Sequence, residues 1–186
     1  MNNYEKDIEV LFSEKEIQDA INRLGGEITG FYKDKNPLVL GVLKGSFMFV
    51  ADLIRVLNFE LEMEFIGLSS YGECTESSGE VTITVKSPDV LEGIPVYQNR
   101  HVLVVEDIVD SGNTISFLKE KIMEHSPASV KVCTLTSKPA RREVDIPIDY
   151  LGFKVPNKFI VGYGMDYNGK YRNLHYIGYL KNPPSP

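Results

Sequence analysis

One segment of thirteen residues, Val102 to Thr114, constrains the fold more than any other part of the chain. Its first four residues are an apolar run of strand length, Glu106 and Asp107 follow them, and a polar stretch containing glycine then leads into a helical apolar pattern over residues 115–125. This order predicts a buried strand, a loop and a helix. In a parallel sheet the loop after a strand lies at the carboxyl edge, where ligands bind, so the segment also predicts where a site lies.

The remaining patterns predict a mainly parallel sheet covered by helices. Ser13 and Glu16 form a capping-box pattern ahead of the first helix. Helices are predicted over residues 14–32, 47–57 and 115–125, and strands over residues 37–43, 61–65, 81–85, 102–105, 129–136, 150–153 and 159–162. Strands that alternate with helices in this way are typical of the α/β class. The apolar helix at 47–57 could supply a subunit interface.

Length, charge and cysteine content predict a single domain, disfavour two kinds of partner and indicate a reducing compartment. A chain of 186 residues is expected to form a single domain over residues 1–180, with residues 181–186 as a frayed tail. The formal net charge of −6 disfavours broad binding to nucleic acids or anionic membranes, so a phosphate ligand needs a local pocket. Cys74 and Cys133 lack metal-binding spacing, and the first residues lack the pattern of a signal peptide. We therefore expect a reduced, cytoplasmic protein.

The polar residues after the apolar run can bind ligands in two ways. Adjacent carboxylates at a strand end suggest binding of a polyhydroxyl compound or a divalent metal, and the alternative is a pair of solvated loop acids. Residues 110–114 enter a helix N-terminus with two hydroxyls and a glycine, which is typical of a phosphate cradle, although an ordinary helix cap explains any one of them. Neither the P-loop nor the dinucleotide-binding glycine pattern occurs in the chain.

A polar loop at residues 72–80 separates two predicted strands. It is longer than the ~2 to 5 residues usual for a hairpin, and such loops are often lids or binding loops. We expect it to be a mobile lid, and the alternative is a simple disordered tip.

The segment from Val102 to Thr114 resembles the phosphoribosyl-pyrophosphate signature of the type I phosphoribosyltransferases. Three further segments narrow the resemblance. Leu43 to Ser46 resembles the pyrophosphate loop, Ser70 to Gly72 resembles the start of the mobile lid, and Lys138 with the stretches 159–163 and 166–167 resembles the purine hood of hypoxanthine(-guanine) phosphoribosyltransferases. The resemblance covers residues 8–180 and implies a mainly parallel sheet flanked by helices, with a small hood and a mobile lid loop.

The resemblance also implies a role for each matching residue. Asp110 is the implied catalytic base, which handles the proton on the purine imidazole nitrogen. The implied substrate-binding residues are Lys44, Gly45, Ser70, Tyr71, Glu106, Asp107, Ser111, Gly112, Asn113, Thr114, Lys138, Phe159, Ile160, Asp166 and Arg172. Glu106, Asp107 and Asp166 are the implied ligands of Mg²⁺, the implied cofactor.

The resemblance implies that different residues bind different parts of the substrates. By the resemblance, residues 111–114 hold the 5-phosphate, Lys44, Gly45 and Arg172 meet pyrophosphate, and Lys138 donates to the six-position oxygen of the purine. The sequence leaves Arg141 and Arg142 open between phosphate contacts and solvated charges.

The implied function is purine salvage. Hypoxanthine, with guanine as a second base, reacts with 5-phosphoribosyl 1-pyrophosphate to give IMP or GMP and pyrophosphate, in a homodimer or homotetramer that binds neither nucleic acid nor membrane. Three alternatives stay open: a transferase that prefers xanthine or another base, a regulatory phosphoribosyltransferase-like protein that binds RNA, and a flavodoxin-like signalling domain. The last leaves Lys44, Lys138 and the lid without a purpose.

Overall fold

The computed structural model describes residues 6–70, 81–86 and 97–181, with the backbone alone for residues 69–70 and 81–86. Within these ranges the strands are β1 (Ile8–Phe12), β2 (Leu38–Leu43), β3 (Glu62–Ser70), β4 (Val81–Lys86), β5 (His101–Val109), β6 (Ser129–Ser137), β7 (Tyr150–Lys154), β8 (Ile160–Val161) and β9 (Ile177–Leu180). The α-helices are α1 (Glu14–Tyr32), α2 (Phe47–Val56) and α3 (Asn113–Met123), and a short 3-10 helix covers Pro139–Arg141.

The described strands form a large sheet and a small one. The large sheet has the order β4-β3-β2-β5-β6-β7, in which β4 is antiparallel to β3 and all other neighbours are parallel. The small sheet is antiparallel with the order β1-β9-β8 and corresponds to the expected hood. The predicted fold class is confirmed. Strands β1 and β9 are absent from the sequence prediction because each is short and is stabilised by the other, from the opposite end of the described chain.

The central strands are buried on both faces. Val39, Leu103 and Cys133 pack with α1 and α2 on one face, whereas Leu40 and Val104 pack with α3 on the other. This is the three-layer arrangement expected when parallel strands read as continuous apolar runs. Cys133 is a free, buried thiol, and Cys74 lies outside the described residues. In the described part of the chain, no helix has the length and apolarity needed to cross a membrane.

Helix α1 follows its predicted bounds because its start and its buried face are both encoded locally. The backbone N–H of Ser13 donates to Glu16 Oε2 at 2.8 Å, and that of Glu16 donates to Ser13 Oγ at 3.4 Å, which completes the capping box. A Cβ added to Gly25 would lie 2.7 Å from Val56 Cγ2, so this glycine lets α1 pack closely on α2. Gly26 has no neighbour within 4 Å of such an atom.

Strand β5 is longer than predicted, and the expected end at Val105 is wrong. It continues to Val109, and Glu106 lies opposite Thr134 in the ladder with β6. The extension begins with two adjacent acids, which end the apolar run and resemble the start of a loop, but β6 offers matching backbone partners as far as Ser137. Glu106 and Asp107 are each only 7% exposed, and the alternative of two solvated loop acids is therefore wrong.

The expected chain end is only partly described. The backbone N–H of Lys181 donates to the carbonyl of Asp7 at 2.8 Å, so residue 181 is held by the residue that precedes β1. Residues 182–186, the rest of the predicted frayed tail, lie outside the described residues.

Candidate active site

The predicted site residues meet at the carboxyl edge of the large sheet. Lys44, Asp110 and Lys138 each come directly after the last residue of a parallel strand, β2, β5 and β6 respectively. They line a cavity of about 660 Å³ together with Gly45, Asp107, Arg141, Phe159, Ile160, Asp166 and Arg172. An adjoining cavity of about 210 Å³ shares Lys44, Gly45, Asp107 and Asp110 and adds Glu106, Ser111, Gly112 and Thr114. Parallel strands thus bring distant segments to one cleft, as expected for this class of sheet.

The loop after β2 lies directly against the acids of β5. The peptide bond between Leu43 and Lys44 is cis. A Cβ added to Gly45 would lie 1.8 Å from Asp107 Oδ2, so glycine is required at this position. On the other side, a Cβ added to Gly164, whose φ is +97°, would lie 2.1 Å from the Gly45 carbonyl oxygen. The pyrophosphate-loop candidate is therefore packed between Asp107 and the hood segment.

The two adjacent acids differ in their surroundings. Burial, together with the neighbouring Asp107 carboxylate, raises the pKa of Glu106 well above its ordinary value. Glu106 Oε1 accepts a long hydrogen bond, 3.3 Å, from the Asp107 backbone N–H. The hydroxyl of Thr136 donates to the Asp107 carbonyl at 2.9 Å, which ties this part of β5 to β6. A cation at the edge of the smaller cavity would therefore favour the charged form of both carboxylates.

Asp110 lies between two cationic side chains. Lys138 Nζ donates to Asp110 Oδ2 at 3.0 Å, and Arg141 Nε lies 3.5 Å from Asp110 Oδ1. The Lys138 side chain is only 7% exposed, whereas that of Arg141 is 57% exposed. Asp110 Oδ1 is buried and has no hydrogen-bond partner among the described residues. One carboxylate oxygen is thus held by Lys138, and the other is available to accept a hydrogen bond from a ligand.

The loop that leads into α3 has the shape of an anion site. Gly112 has φ +94°, and a Cβ there would lie 2.6 Å from the Val144 carbonyl oxygen, so the position requires glycine. Ser111, Gly112 and Thr114 line the smaller cavity. The Asn113 side chain instead donates to Glu143 Oε2 at 2.8 Å, while its backbone N–H lies 3.3 Å from Ser111 Oγ. The backbone N–H groups at this helix start suit a phosphate group.

The hood supplies the outer wall of the larger cavity. Arg172 Nη2 lies 2.6 Å from Asp166 Oδ1, and Arg172 Nη1 donates to the Gly164 carbonyl at 2.6 Å. The Phe159 ring is 42% exposed and meets Tyr167 edge-on at 5.1 Å between ring centroids. An exposed aromatic face in a cavity can stack on a planar ligand. Ile160 is buried and lines the same wall as part of β8.

Two predicted residues lie at or beyond the end of β3, and one contact that no pattern predicted joins the hood to α2. Ser70 is the last residue of β3, and Tyr71, with the predicted lid at 72–80, lies outside the described residues. The Tyr163 hydroxyl donates a hydrogen bond to Asp52, which the sequence did not predict and which anchors the hood to α2. Burial and this bond raise the pKa of Tyr163. Because 111 positions separate the two residues, no local pattern could have revealed the contact.

A family comparison agrees with this geometry. The family model for the phosphoribosyl transferase domain matches residues 8–168, which include the strand, acids and phosphate-type loop described above. The chain belongs to the phosphoribosyltransferase family. The resemblance derived from the motifs is therefore confirmed.

Similar phosphoribosyltransferases carry more specific names. The hypoxanthine-guanine phosphoribosyltransferase of Bacillus subtilis is 49% identical over 176 residues, which cover 94% of each chain. The bifunctional protein TilS/HprT of Listeria monocytogenes is 52% identical over 172 residues, and the match covers 92% of this chain but only 26% of that protein. The chain thus spans about a quarter of the length of this relative. A crystal structure of a hypoxanthine phosphoribosyltransferase from Staphylococcus aureus matches with a TM-score of 0.89 and 40% identity, over 97% of this chain and 96% of that one.

Proposed function

We propose that this phosphoribosyltransferase makes IMP from hypoxanthine, and GMP from guanine, by transfer of ribose 5-phosphate from 5-phosphoribosyl 1-pyrophosphate, and so acts in purine salvage. The observation that carries the proposal is the pairing of buried Lys138 with Asp110 at 3.0 Å in the cavity that Lys44 also lines. In this cavity an ammonium donor lies beside a carboxylate acceptor, which would suit a carbonyl oxygen and a ring proton of the base. The names of the similar proteins support the same choice of substrate.

The sugar phosphate fits the smaller cavity. The backbone N–H groups of residues 111–114 would bind the 5-phosphate, because they point from a helix start and the loop allows close approach at Gly112. Glu106 and Asp107 line the same cavity and would accept hydrogen bonds from the ribose hydroxyls. The sugar would therefore bridge the phosphate loop and the larger cavity.

The leaving pyrophosphate would meet cationic groups. Lys44 and Arg172 both line the larger cavity, and the bond to the ribose breaks with build-up of negative charge on pyrophosphate and positive charge on the sugar. Arg172 is held by Asp166 and by the Gly164 carbonyl, so its guanidinium is positioned before any ligand arrives. Catalysis of this kind depends on positioning and charge rather than on a covalent nucleophile.

The acidic residues fit the proposed Mg²⁺. Glu106 and Asp107 are buried neighbours with carboxylate oxygens, the ligand type that Mg²⁺ prefers. The pKa of Glu106 is raised first by burial and then by the neighbouring Asp107 carboxylate, and a bound cation would oppose both effects. Among the described residues, no group of three or more His, Cys, Asp or Glu side chains is placed to hold a metal. Mg²⁺ commonly binds one or two carboxylates together with substrate phosphates, and when bound it would neutralise pyrophosphate. Asp166 would have to exchange its contact with Arg172 to serve as a ligand.

The purine would stack on the Phe159 ring, and polar atoms at its edge would form hydrogen bonds with Lys138 and Asp110. Lys138 would donate to the six-position oxygen. Asp110 Oδ1, which accepts no hydrogen bond from a described residue, would accept the imidazole proton as the ring nitrogen bonds to the ribose. The wall beside Ile160 and Asp166 would meet the pyrimidine edge of the ring. Each ring atom that changes charge would thus have a partner in the cavity.

We also propose a cytoplasmic location and a homo-oligomeric state. A cytoplasmic location agrees with the free, buried Cys133. A homodimer or homotetramer could use α2, on which Phe47 is 39% exposed. Size-exclusion chromatography with light scattering would measure the oligomeric state.

A four-base assay tests the proposed reaction. Hypoxanthine, guanine, xanthine and adenine are each supplied with 5-phosphoribosyl 1-pyrophosphate, with Mg²⁺ or with EDTA, and nucleotide formation is followed by absorbance. We expect Mg²⁺-dependent products from hypoxanthine and guanine alone. A dominant xanthine activity would favour the xanthine-preferring alternative, and no product from any base would contradict the proposal. A gel-shift at two salt concentrations tests the RNA-binding alternative, which the net charge of −6 disfavours.

A further inference from the structure

Arg142 is a cation beside the phosphate loop that has no role in the proposed function. It follows the short helix Pro139–Arg141, and its Nη2 donates to Ser137 Oγ at 2.8 Å. Ser137, the last residue of β6, is only 2% exposed, so this anchor is buried. Arg142 Nη1 is also buried, and it has no hydrogen-bond partner among the described residues. A buried donor without a partner is costly and calls for an explanation.

The guanidinium of Arg142 lies against the glycine of the phosphate loop. A Cβ added to Gly112 would be 3.2 Å from Arg142 Nη1 and 3.3 Å from Arg142 Cδ. The next two residues bind the same loop, since the backbone N–H groups of Glu143 and Val144 donate to the Ser111 carbonyl at 2.9 and 3.1 Å. Residues 142–144 therefore brace the loop from the side, with a positive charge at the contact.

The charge of Arg142 is not neutralised by a described side chain. In the described part of the chain no carboxylate lies within 4.0 Å of its guanidinium nitrogens, whereas Arg141 lies 3.5 Å from Asp110. Glu143, the nearest acid in sequence, holds Asn113 instead. A partly buried guanidinium without a counter-anion favours an anion nearby, and the loop it braces is the proposed site for one.

We propose that Arg142 is a positioning residue for the 5-phosphate of the ribosyl substrate. It holds Gly112 in its left-handed conformation, so that the N–H groups of residues 111–114 converge on the phosphate, and its charge balances the phosphate dianion across the loop. Arg142 lines neither cavity, so it acts through the loop rather than as a catalytic residue. This inference rests on the proposed function and adds a determinant of affinity for phosphate monoesters.

The test compares a ligand that carries the 5-phosphate with one that does not. Arg142→Met removes the charge and keeps most of the side-chain length, Arg142→Lys keeps the charge without the fork, and Lys121→Met is the control, because it removes one charge from an exposed ion pair on α3. Calorimetry measures the affinity for IMP, and pyrophosphorolysis of IMP measures the KM for pyrophosphate at saturating IMP. We expect Arg142→Met to weaken IMP binding about tenfold, because it removes a nearby positive charge and loosens the loop that positions the phosphate. The KM for pyrophosphate should change less than twofold. Arg142→Lys should recover part of the loss, and Lys121→Met should match the wild type.

A second variant keeps the test decisive if Arg142→Met does not fold. Ser137→Ala removes the anchor of Nη2 and should also weaken IMP binding more than pyrophosphate binding. Equal losses for IMP and pyrophosphate, or unchanged IMP affinity, would overturn the role of Arg142 and leave it a structural residue. Failure of the wild type to form IMP from hypoxanthine would instead contradict the proposed function, so the two failures are distinguishable.

Discussion

Lys138 Nζ donates to Asp110 Oδ2 at 3.0 Å, although 28 positions separate the two residues in the chain. Each directly follows one of two paired parallel strands, β5 and β6, and the Lys138 backbone N–H also donates to the Val109 carbonyl. A bound purine would accept a hydrogen bond from Lys138 at its oxygen and donate one to Asp110 from its ring nitrogen. The two side chains therefore form one unit, and the effects of mutating them should be non-additive in a double-mutant cycle.

Asp110→Asn should fold normally and lose most of its turnover. The amide keeps the shape of the carboxylate but cannot accept the purine proton, and a positioned acid-base group contributes ~100- to 10,000-fold. Steady-state kinetics with hypoxanthine measure the loss, and circular dichroism checks the fold. Asp19→Asn, which alters an exposed ion pair with Lys15 on α1, is the control. Turnover like that of the wild type would remove Asp110 from the mechanism.

Lys138→Gln should lose activity on hypoxanthine far more than affinity for 5-phosphoribosyl 1-pyrophosphate. The ammonium group has only donors, so it pairs with a carbonyl oxygen and not with the amino group of adenine. Sites built around such a hydrogen bond reject a mismatched analogue by ~10,000-fold or more, and the wild type should therefore exclude adenine. The ratio of kcat/KM for the two bases checks the prediction in both proteins. If the wild type used both bases equally, Lys138 would not determine the choice.

Asp107→Asn combined with Glu106→Gln should weaken the Mg²⁺-dependent part of 5-phosphoribosyl 1-pyrophosphate binding. Two anionic oxygen ligands become neutral, and hard cations bind neutral oxygens less strongly. Calorimetry with Mg²⁺ and with EDTA separates the metal-dependent part from the rest. Glu62→Gln, at an exposed ion pair with Arg100, serves as the control. If the double variant and the wild type bound the substrate with the same affinity, both with Mg²⁺ and with EDTA, the acid pair would have only a structural role.

Gly45→Ala should lower activity, whereas Gly26→Ala should raise stability. A Cβ at Gly45 would lie 1.8 Å from Asp107 Oδ2, so the loop must move and activity should fall at least tenfold. At Gly26, inside α1, a Cβ meets nothing within 4 Å, and alanine should raise the free energy of unfolding by about 0.5 to 1 kcal/mol. Chemical denaturation and steady-state kinetics on both variants check the pair. An active Gly45→Ala protein would show that the contact with Asp107 is not required.

The sequence alone predicted the features that depend on neighbours along the chain. The capping box and the apolar spacing from Ile17 to Ile28 are local, so the bounds of α1 match the prediction. The central apolar runs predicted buried parallel strands, and the motif at residues 102–114 predicted the family, because its side chains act together over a short stretch. Roles for individual site residues stay predictions until the variants above are measured.

Only the tertiary structure decided which distant groups meet. The extension of β5 to Val109 depends on the register with β6, since backbone hydrogen bonds to a neighbouring strand can hold polar residues that a loop would otherwise carry. The same register buries Glu106 and raises its pKa, brings Lys138 to Asp110, and lets Arg142 reach Gly112. The contact of Asp52 with Tyr163 likewise requires the hood to pack on α2. These relationships depend on strand order, register and packing between segments far apart in the chain, which no local pattern of residues specifies.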